Sequence, residues 1–187
     1  MKRALARLMR KTDMTVTLEA LAARLQVLED QEAIRHTWRD YCKCLDSDDW
    51  RGLADVYTPD GELEMIGLNT LVPGIDGRYC GREDIIQRFY MPALDSAANP
   101  GKGLFATGHI STNMQIELDG DSATTLAYFF EIVANNTVLI GTYQHRMQRD
   151  VDRWRFKFLR ISVRYHAQLS VAEVGGQSLV DILARPL

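Results

Sequence analysis

Hydrophobic and polar positions divide this chain into two halves of different period. In the first, apolar residues recur three or four apart: Leu18, Leu21, Leu25 and Leu28, then Ile34, Trp38, Tyr41 and Leu45. That spacing predicts an amphipathic helix, capped by Thr17 and either continuous or hinged near Glu29, ending in acids from Asp46. Ser47 or Asp48 is expected to cap a second helix over 49–57, which Thr58-Pro59-Asp60-Gly61 stops with turn chemistry. A short strand over 61–66 follows, then a glycine-rich loop over 67–81 with a strand at 78–80. Ile85, Ile86 and Phe89 predict a helix over 82–90, and the small-residue loop over 92–103 is suited to a mobile lid.

From residue 105 the period falls to two. Four strands are expected over 105–118, 123–135, 137–149 and 154–166, joined by turns at Asp119-Gly120, Asn135-Asn136 and Asp150-Val151-Asp152-Arg153. Helices followed by an antiparallel meander give an α+β fold, with the helices on one face of a curved sheet. The tail over 171–187 carries a short helical pattern at 177–184.

Composition narrows the class without naming an activity. A chain of 187 residues, 46% hydrophobic and 25% charged, is expected to build one globular domain. Its formal net charge of -3 makes no case for nucleic acid. Cys42, Cys44 and Cys80 are odd in number and ill-spaced for a disulfide framework, which points to a reducing, cytoplasmic compartment. No run approaches the roughly 20 apolar residues of a membrane span. No His-x-x-x-His or carboxylate cluster suggests a metal. Residues 1–16, basic through Lys2, Arg3, Arg7, Arg10 and Lys11, read as a disordered extension, with Met14 as an alternative start. The domain is expected over 17–170.

Two residues stand out chemically. Asp46 closes the long helix, where a carboxylate opposes the helix dipole and so invites another duty. His109 opens the first long strand, and strict alternation with Ser111, Asn113 and Gln115 would put it on a polar face unless a bulge near Gly108 re-aims it. Tyr41 lies five residues before Asp46, about 140° around an ideal helix. The two therefore share a cavity only where that cavity wraps the helix end.

Several strings, in order, resemble the SnoaL-like branch of the nuclear-transport-factor-2-like superfamily. They are Leu28-Glu29-Asp30-Gln31-Glu32-Ala33-Ile34-Arg35, Tyr41-x-x-x-Leu45-Asp46-x-x-Asp49-Trp50 and Tyr57-Thr58-Pro59-Asp60-Gly61. Gly81-Arg82-Glu83-Asp84-Ile85, Gly108-His109-x-x-x-Asn113 and Leu139-Ile140-Gly141-Thr142-Tyr143 follow, with the aromatic strand from Trp154. The resemblance implies a cone-shaped α+β barrel with a deep apolar pocket. Within the branch the chain is similar to cofactor-free lyases: scytalone dehydratase, bile-acid 7α-dehydratase and hexachlorocyclohexane dehydrochlorinase. Asp46 and His109 match their aspartate–histidine dyad, Tyr41 matches the tyrosine of the bile-acid enzyme, and Arg164 falls where an arginine is frequent on the last strand. Leu45 and Met65 replace the tyrosine pair of scytalone dehydratase. Its second histidine has no counterpart near Ala134, and Tyr143 replaces its asparagine.

The resemblance thus implies dehydratase-type elimination from a small, apolar cyclic or aromatic substrate, without a cofactor. Asp46, His109, Tyr41 and Arg164 would be catalytic, and Trp38, Met65, Asn113, Phe130, Tyr143 and His145 would line the pocket. Isomerase, cyclase, dehydrohalogenase or retro-aldol chemistry from the same dyad, or a binding or scaffold role, are the alternatives. A homotrimer is expected, with neither nucleic acid nor membrane as partner.

Overall fold

The computed structural model describes residues 17–94, 108–133, 137–151 and 153–168. The basic extension, most of the expected lid, Ala134 and the C-terminal helical pattern lie outside them. The long helix α1, Leu18–Asp46, is one uninterrupted rod whose Thr17 side chain accepts from the Ala20 N–H at 3.1 Å. Its buried positions are Asp30, Ile34, Thr37, Trp38, Tyr41, Cys44 and Leu45, one stripe laid against the sheet. Leu18, Leu21, Leu25 and Leu28 sit before this stripe begins and are exposed.

Asp48 takes a positive φ of 54°, which turns the chain and leaves Asp49, rather than Ser47 or Asp48, to cap α2. The Asp49 carboxylate accepts from the Gly52 N–H at 2.9 Å, and α2 spans Trp50–Asp55. The Thr58-Pro59-Asp60-Gly61 string is not a turn: it lies inside strand β1, Tyr57–Ile66. The parallel pairing of β1 with the last strand slips between Tyr57 and Glu62, so the extra residues are taken up as an irregularity.

Strand β2, Gly77–Cys80, pairs with β1. A helical run then goes from α3, Arg82–Asp84, through a π-helical stretch, Ile85–Tyr90, to α4, Met91–Leu94. The widened turns bury Ile85, Ile86, Phe89 and Tyr90 together. Four long strands complete the sheet: β3 Ser111–Asp119, β4 Ser122–Val133, β5 Thr137–Asp150 and β6 Arg153–Gln168. The order is β2-β1-β6-β5-β4-β3, antiparallel except for β1 with β6.

Three irregularities decide which side chains face inward. Asn113 has a φ of 54°, and the β3–β4 register shifts between Thr112 and Gln115. In β6, Lys157 and Arg164 are the extra residues where the pairing with β5 shifts. Each such bulge reverses the two-residue alternation beyond it. The middle of α1 is anchored by Asp30, which meets Arg149 Nη2 at 2.6 Å while the Arg149 guanidinium stacks over Trp154. Trp38, Tyr41, Tyr143 and Phe156 form an aromatic wedge between helix and sheet. Contacts of this kind each add about 0.5–1.5 kcal/mol beyond burial.

Candidate active site

The end of α1, the segment entering β3 and the inner faces of β4, β5 and β6 enclose a cavity of about 110 Å³. Most of its wall is apolar, through Leu45, Met65, Phe129, Leu139 and Ile161 among others. The polar groups on it are Tyr41, Tyr90, His109, Glu131, Thr137 and Tyr143. One wall comes from the loop after β1, which Asp76 clamps shut. Its carboxylate accepts from the backbone N–H groups of Gly67, Leu68 and Asn69 at 2.7, 2.7 and 3.1 Å, presenting Leu68, Leu71 and Val72 to the cavity.

Asp46 and His109 meet at the mouth of this space. His109 Nδ1 lies 2.6 Å from Asp46 Oδ1, and the His109 backbone N–H donates to Asp46 Oδ2 at 3.3 Å. The imidazole side chain is only 3% exposed and the carboxylate 37%. Partial burial works against the Asp46 charge, but the two bonds from His109 and its charge outweigh it and hold the carboxyl below its usual range. Those same bonds offset the unfavourable helix dipole. Gly108 allows the approach: its φ is +67°, and a Cβ there would sit 3.1 Å from Asp46 Oδ2.

The bulge at Asn113 accounts for the inward turn of the residues before it. It sets Ser111 on the same side as Met114, and Ser111 Oγ accepts from Trp38 Nε1 at 2.6 Å. The 140° between Tyr41 and Asp46 is not an obstacle either. Tyr41 and His109 reach the cavity, their rings 6.1 Å apart and edge to face, while Asp46 stands behind the imidazole.

Tyr41 is the end of a hydroxyl chain. Tyr90 donates to Tyr41 at 3.0 Å, and the Tyr90 and Tyr57 hydroxyls are 2.7 Å apart. Burial pushes all three phenols well above their ordinary range, so each stays protonated. A hydroxyl that already accepts a bond is a stronger donor of its own proton.

The other expected site residues divide sharply. Tyr143 and Met65 line the cavity. Trp38 does not; it stacks on Tyr41 at 4.8 Å and supports it from behind. Arg164 is exposed on its bulge and brings no charge to the site, which corrects the expectation from the last strand. Phe130 (46% exposed) and Asn113 point outward, because alternation in β4 and the bulge in β3 turn them away. His145 is buried in the aromatic wedge behind Trp38 and does not line the cavity.

Glu131 was missed. It is 2% exposed, lines the cavity and accepts from the Tyr143 hydroxyl at 2.9 Å. Its signal was an acid in register with Ala127, Phe129 and Val133 on β4. Tyr128, Phe130 and Ile132 make the opposite register equally apolar, so the pattern alone did not choose between them. Among the described residues no group of three or more His, Cys, Asp and Glu side chains could hold a metal. Among them, too, no helix is long and apolar enough to cross a membrane.

Helices packed on a curved, mainly antiparallel six-stranded sheet that stays open rather than closing into a barrel, with a cavity between them, make the nuclear-transport-factor-2-like fold. Residues 26–160 match the SnoaL-like domain, and the chain belongs to that family. No curated protein matches it. Among solved structures, it is similar to hexachlorocyclohexane dehydrochlorinase LinA-type3 from Novosphingobium barchaimii LL02. That likeness has a TM-score of 0.60 and 19% identity, covering 79% of this chain and 94% of the other. A provisionally named scytalone dehydratase from Novosphingobium aromaticivorans gives 0.55 and 20%, covering 77% and 90%. An NTF2-like protein with a cystatin-like fold, also from Novosphingobium aromaticivorans, gives 0.58 and 22%, covering 92% and 99%. At these identities the likeness is one of fold.

Proposed function

We propose that this protein is a cofactor-independent lyase that eliminates a small leaving group from an apolar cyclic or aromatic substrate. The observation that carries this reading is the 2.6 Å contact between Asp46 and a His109 imidazole buried at an apolar cavity. With Nδ1 committed to Asp46, proton abstraction falls to Nε2, which takes a proton from carbon beside an activating group. Asp46 holds that tautomer and stabilises the imidazolium that forms. Tyr41, backed by Tyr90 and Tyr57, donates to the oxyanion that develops on the activating group. The apolar wall strengthens each of these interactions relative to water.

A purely binding role would need no carboxylate behind the imidazole, and this favours catalysis. His109→Ala tests the reading: turnover of cyclic elimination substrates should vanish while the circular dichroism spectrum is retained. Unchanged turnover would remove the general base from the scheme.

A cytoplasmic homo-oligomer, with three subunits as the resemblance suggests, completes the proposal. On the outer face of the sheet Phe130, Ile140 and Tyr165 are neighbours across β4, β5 and β6, each at least 40% exposed. An apolar row of this kind supports association, and light scattering after size exclusion would count the subunits.

A further inference from the structure

The scheme above assigns a base but no acid, and the cavity contains one. Glu131 sits on its wall among Phe129, Val133 and Leu139, and the residue is 2% exposed. Burial, with the negative charge of Asp46 adding to it, raises this carboxyl above its ordinary range, and the charge of His109 and the bond from Tyr143 only partly oppose that. Among the described residues the other buried acid, Asp30, pairs with Arg149, whereas no Lys or Arg acts on Glu131. An acid kept in an apolar wall without a lysine or arginine to pair it costs stability that a leucine there would not. Packing therefore gives no reason for it, and its place on the cavity that His109 also lines does.

We propose that Glu131 is a second catalytic group: a neutral carboxylic acid that gives its proton to an oxygen leaving group, so that the substrate is an alcohol rather than a halide. This rests on the elimination reading. His109 takes the C–H proton and the electron pair of that bond becomes the new C=C bond. The C–O bond breaks with its pair going to oxygen, which takes the Glu131 proton and departs as water. Imidazolium and carboxylate remain, and one proton passed from His109 to Glu131, through water once the product has left, restores both. A halide leaves as a stable anion and needs no such acid; hydroxide is a poor leaving group and does. Tyr143 donates to Oε1, so the acidic proton is carried on Oε2.

The protonation state can be read without a substrate. Infrared spectra at neutral pH should show the C=O band of a protonated carboxylic acid in the wild type and lose it in Glu131→Gln; a wild type without the band overturns the proposal. Glutamine keeps an oxygen to accept from Tyr143, so this variant is expected to fold. The probe pair is 3-hydroxycyclohexanone and 3-chlorocyclohexanone, which eliminate to the same enone. Glu131→Gln should slow the hydroxy probe by at least about 100-fold and the chloro probe by less than about 3-fold, with partial rescue of the hydroxy probe by Glu131→Asp. Equal losses, or no loss on either probe, overturn the assignment. His109→Ala should abolish both reactions; retention of both would reject the base while leaving the Glu131 result to be judged by its own band and ratio.

Discussion

Two histidines on the inner side of the sheet share burial and differ in nearly everything else. The His109 side chain is 3% exposed on a half-buried residue, His145 is buried as a whole, and each has Nδ1 in a hydrogen bond. His109 bonds to a carboxylate and borders a cavity. His145 bonds to the Thr125 hydroxyl, is stacked on Phe156 at 4.9 Å, and its Nε2 has no partner among the described residues. Burial pushes the His145 imidazole down to about 3, so it is neutral at any physiological pH and cannot exchange protons usefully. Burial makes a histidine hydrophobic filling unless an acid stands behind it and an open space in front.

That contrast breaks most directly at the acid. Asp46→Asn leaves the imidazole in place but removes the charge that stabilises its protonated form and no longer enforces its tautomer. Turnover should fall by about 10³–10⁴-fold, with little change in melting temperature because Asp46 is more than a third exposed. Steady-state kinetics and a thermal scan on one preparation check both halves. A loss of stability with activity kept would make the pair a structural clasp.

The next effect belongs to His145 and appears only in acid. Its folded-state value near 3 lies below the ordinary value near 6.5, so between the two the unfolded chain binds the extra proton. The stability that comes from keeping it neutral is full above pH 6.5 and is lost progressively as the pH falls toward 3, by up to about 5 kcal/mol. Asp46 adds to the same limb, since its depressed value means its contribution is lost as pH falls from its ordinary value through the folded one. Urea titrations at stepped pH should show this slope in the wild type and a shallower one in His145→Phe. Equal slopes would mean that His145 is not held neutral by the fold.

At neutral pH the same position should matter less. His145→Ala removes a ring that touches Trp38 and Phe156 and should cost about 2–4 kcal/mol in chemical denaturation. Turnover per folded molecule should change far less than in Asp46→Asn, because Trp38 only supports Tyr41.

How much of this was legible in the chain follows from where periodicity holds and where it breaks. The helical stripe through Ile34, Trp38, Tyr41 and Leu45 is regular, and so α1 and the place of Asp46 could be read directly. The strands were found, but their faces depend on single extra residues. The bulge at Asn113 turns the start of β3 inward, and those at Lys157 and Arg164 each reverse the alternation along β6. Arg160, on the outer side, pairs with Glu64 at 2.6 Å, and Arg164 is exposed. Glu131 was hidden for a different reason: both registers of β4 are apolar at that end, and only the pairing with β5 selects one. The Asp76 clamp joins residues seven to nine apart in a loop with no period to reveal it.

The smallest expected effect concerns the hydroxyl chain behind Tyr41. Tyr90→Phe removes the donor to Tyr41 and leaves the Tyr57 hydroxyl facing a phenyl edge, without enlarging the cavity by more than an oxygen atom. Tyr41 keeps its own proton, because burial holds its phenol protonated with or without Tyr90. The loss is therefore confined to the polarisation that a neighbouring donor supplies, about 10–30% per bond in condensed-phase estimates. To this is added whatever freedom Tyr41 gains once its partner is gone. Together these should lower kcat by about 3- to 10-fold with KM little changed, since the bond gains most when charge develops on the substrate. Tyr41→Phe should cost more than Tyr90→Phe, and the double variant no more than Tyr41→Phe alone. If the two losses multiply instead, Tyr90 acts on the substrate itself and the relay order drawn from the 3.0 Å contact is wrong.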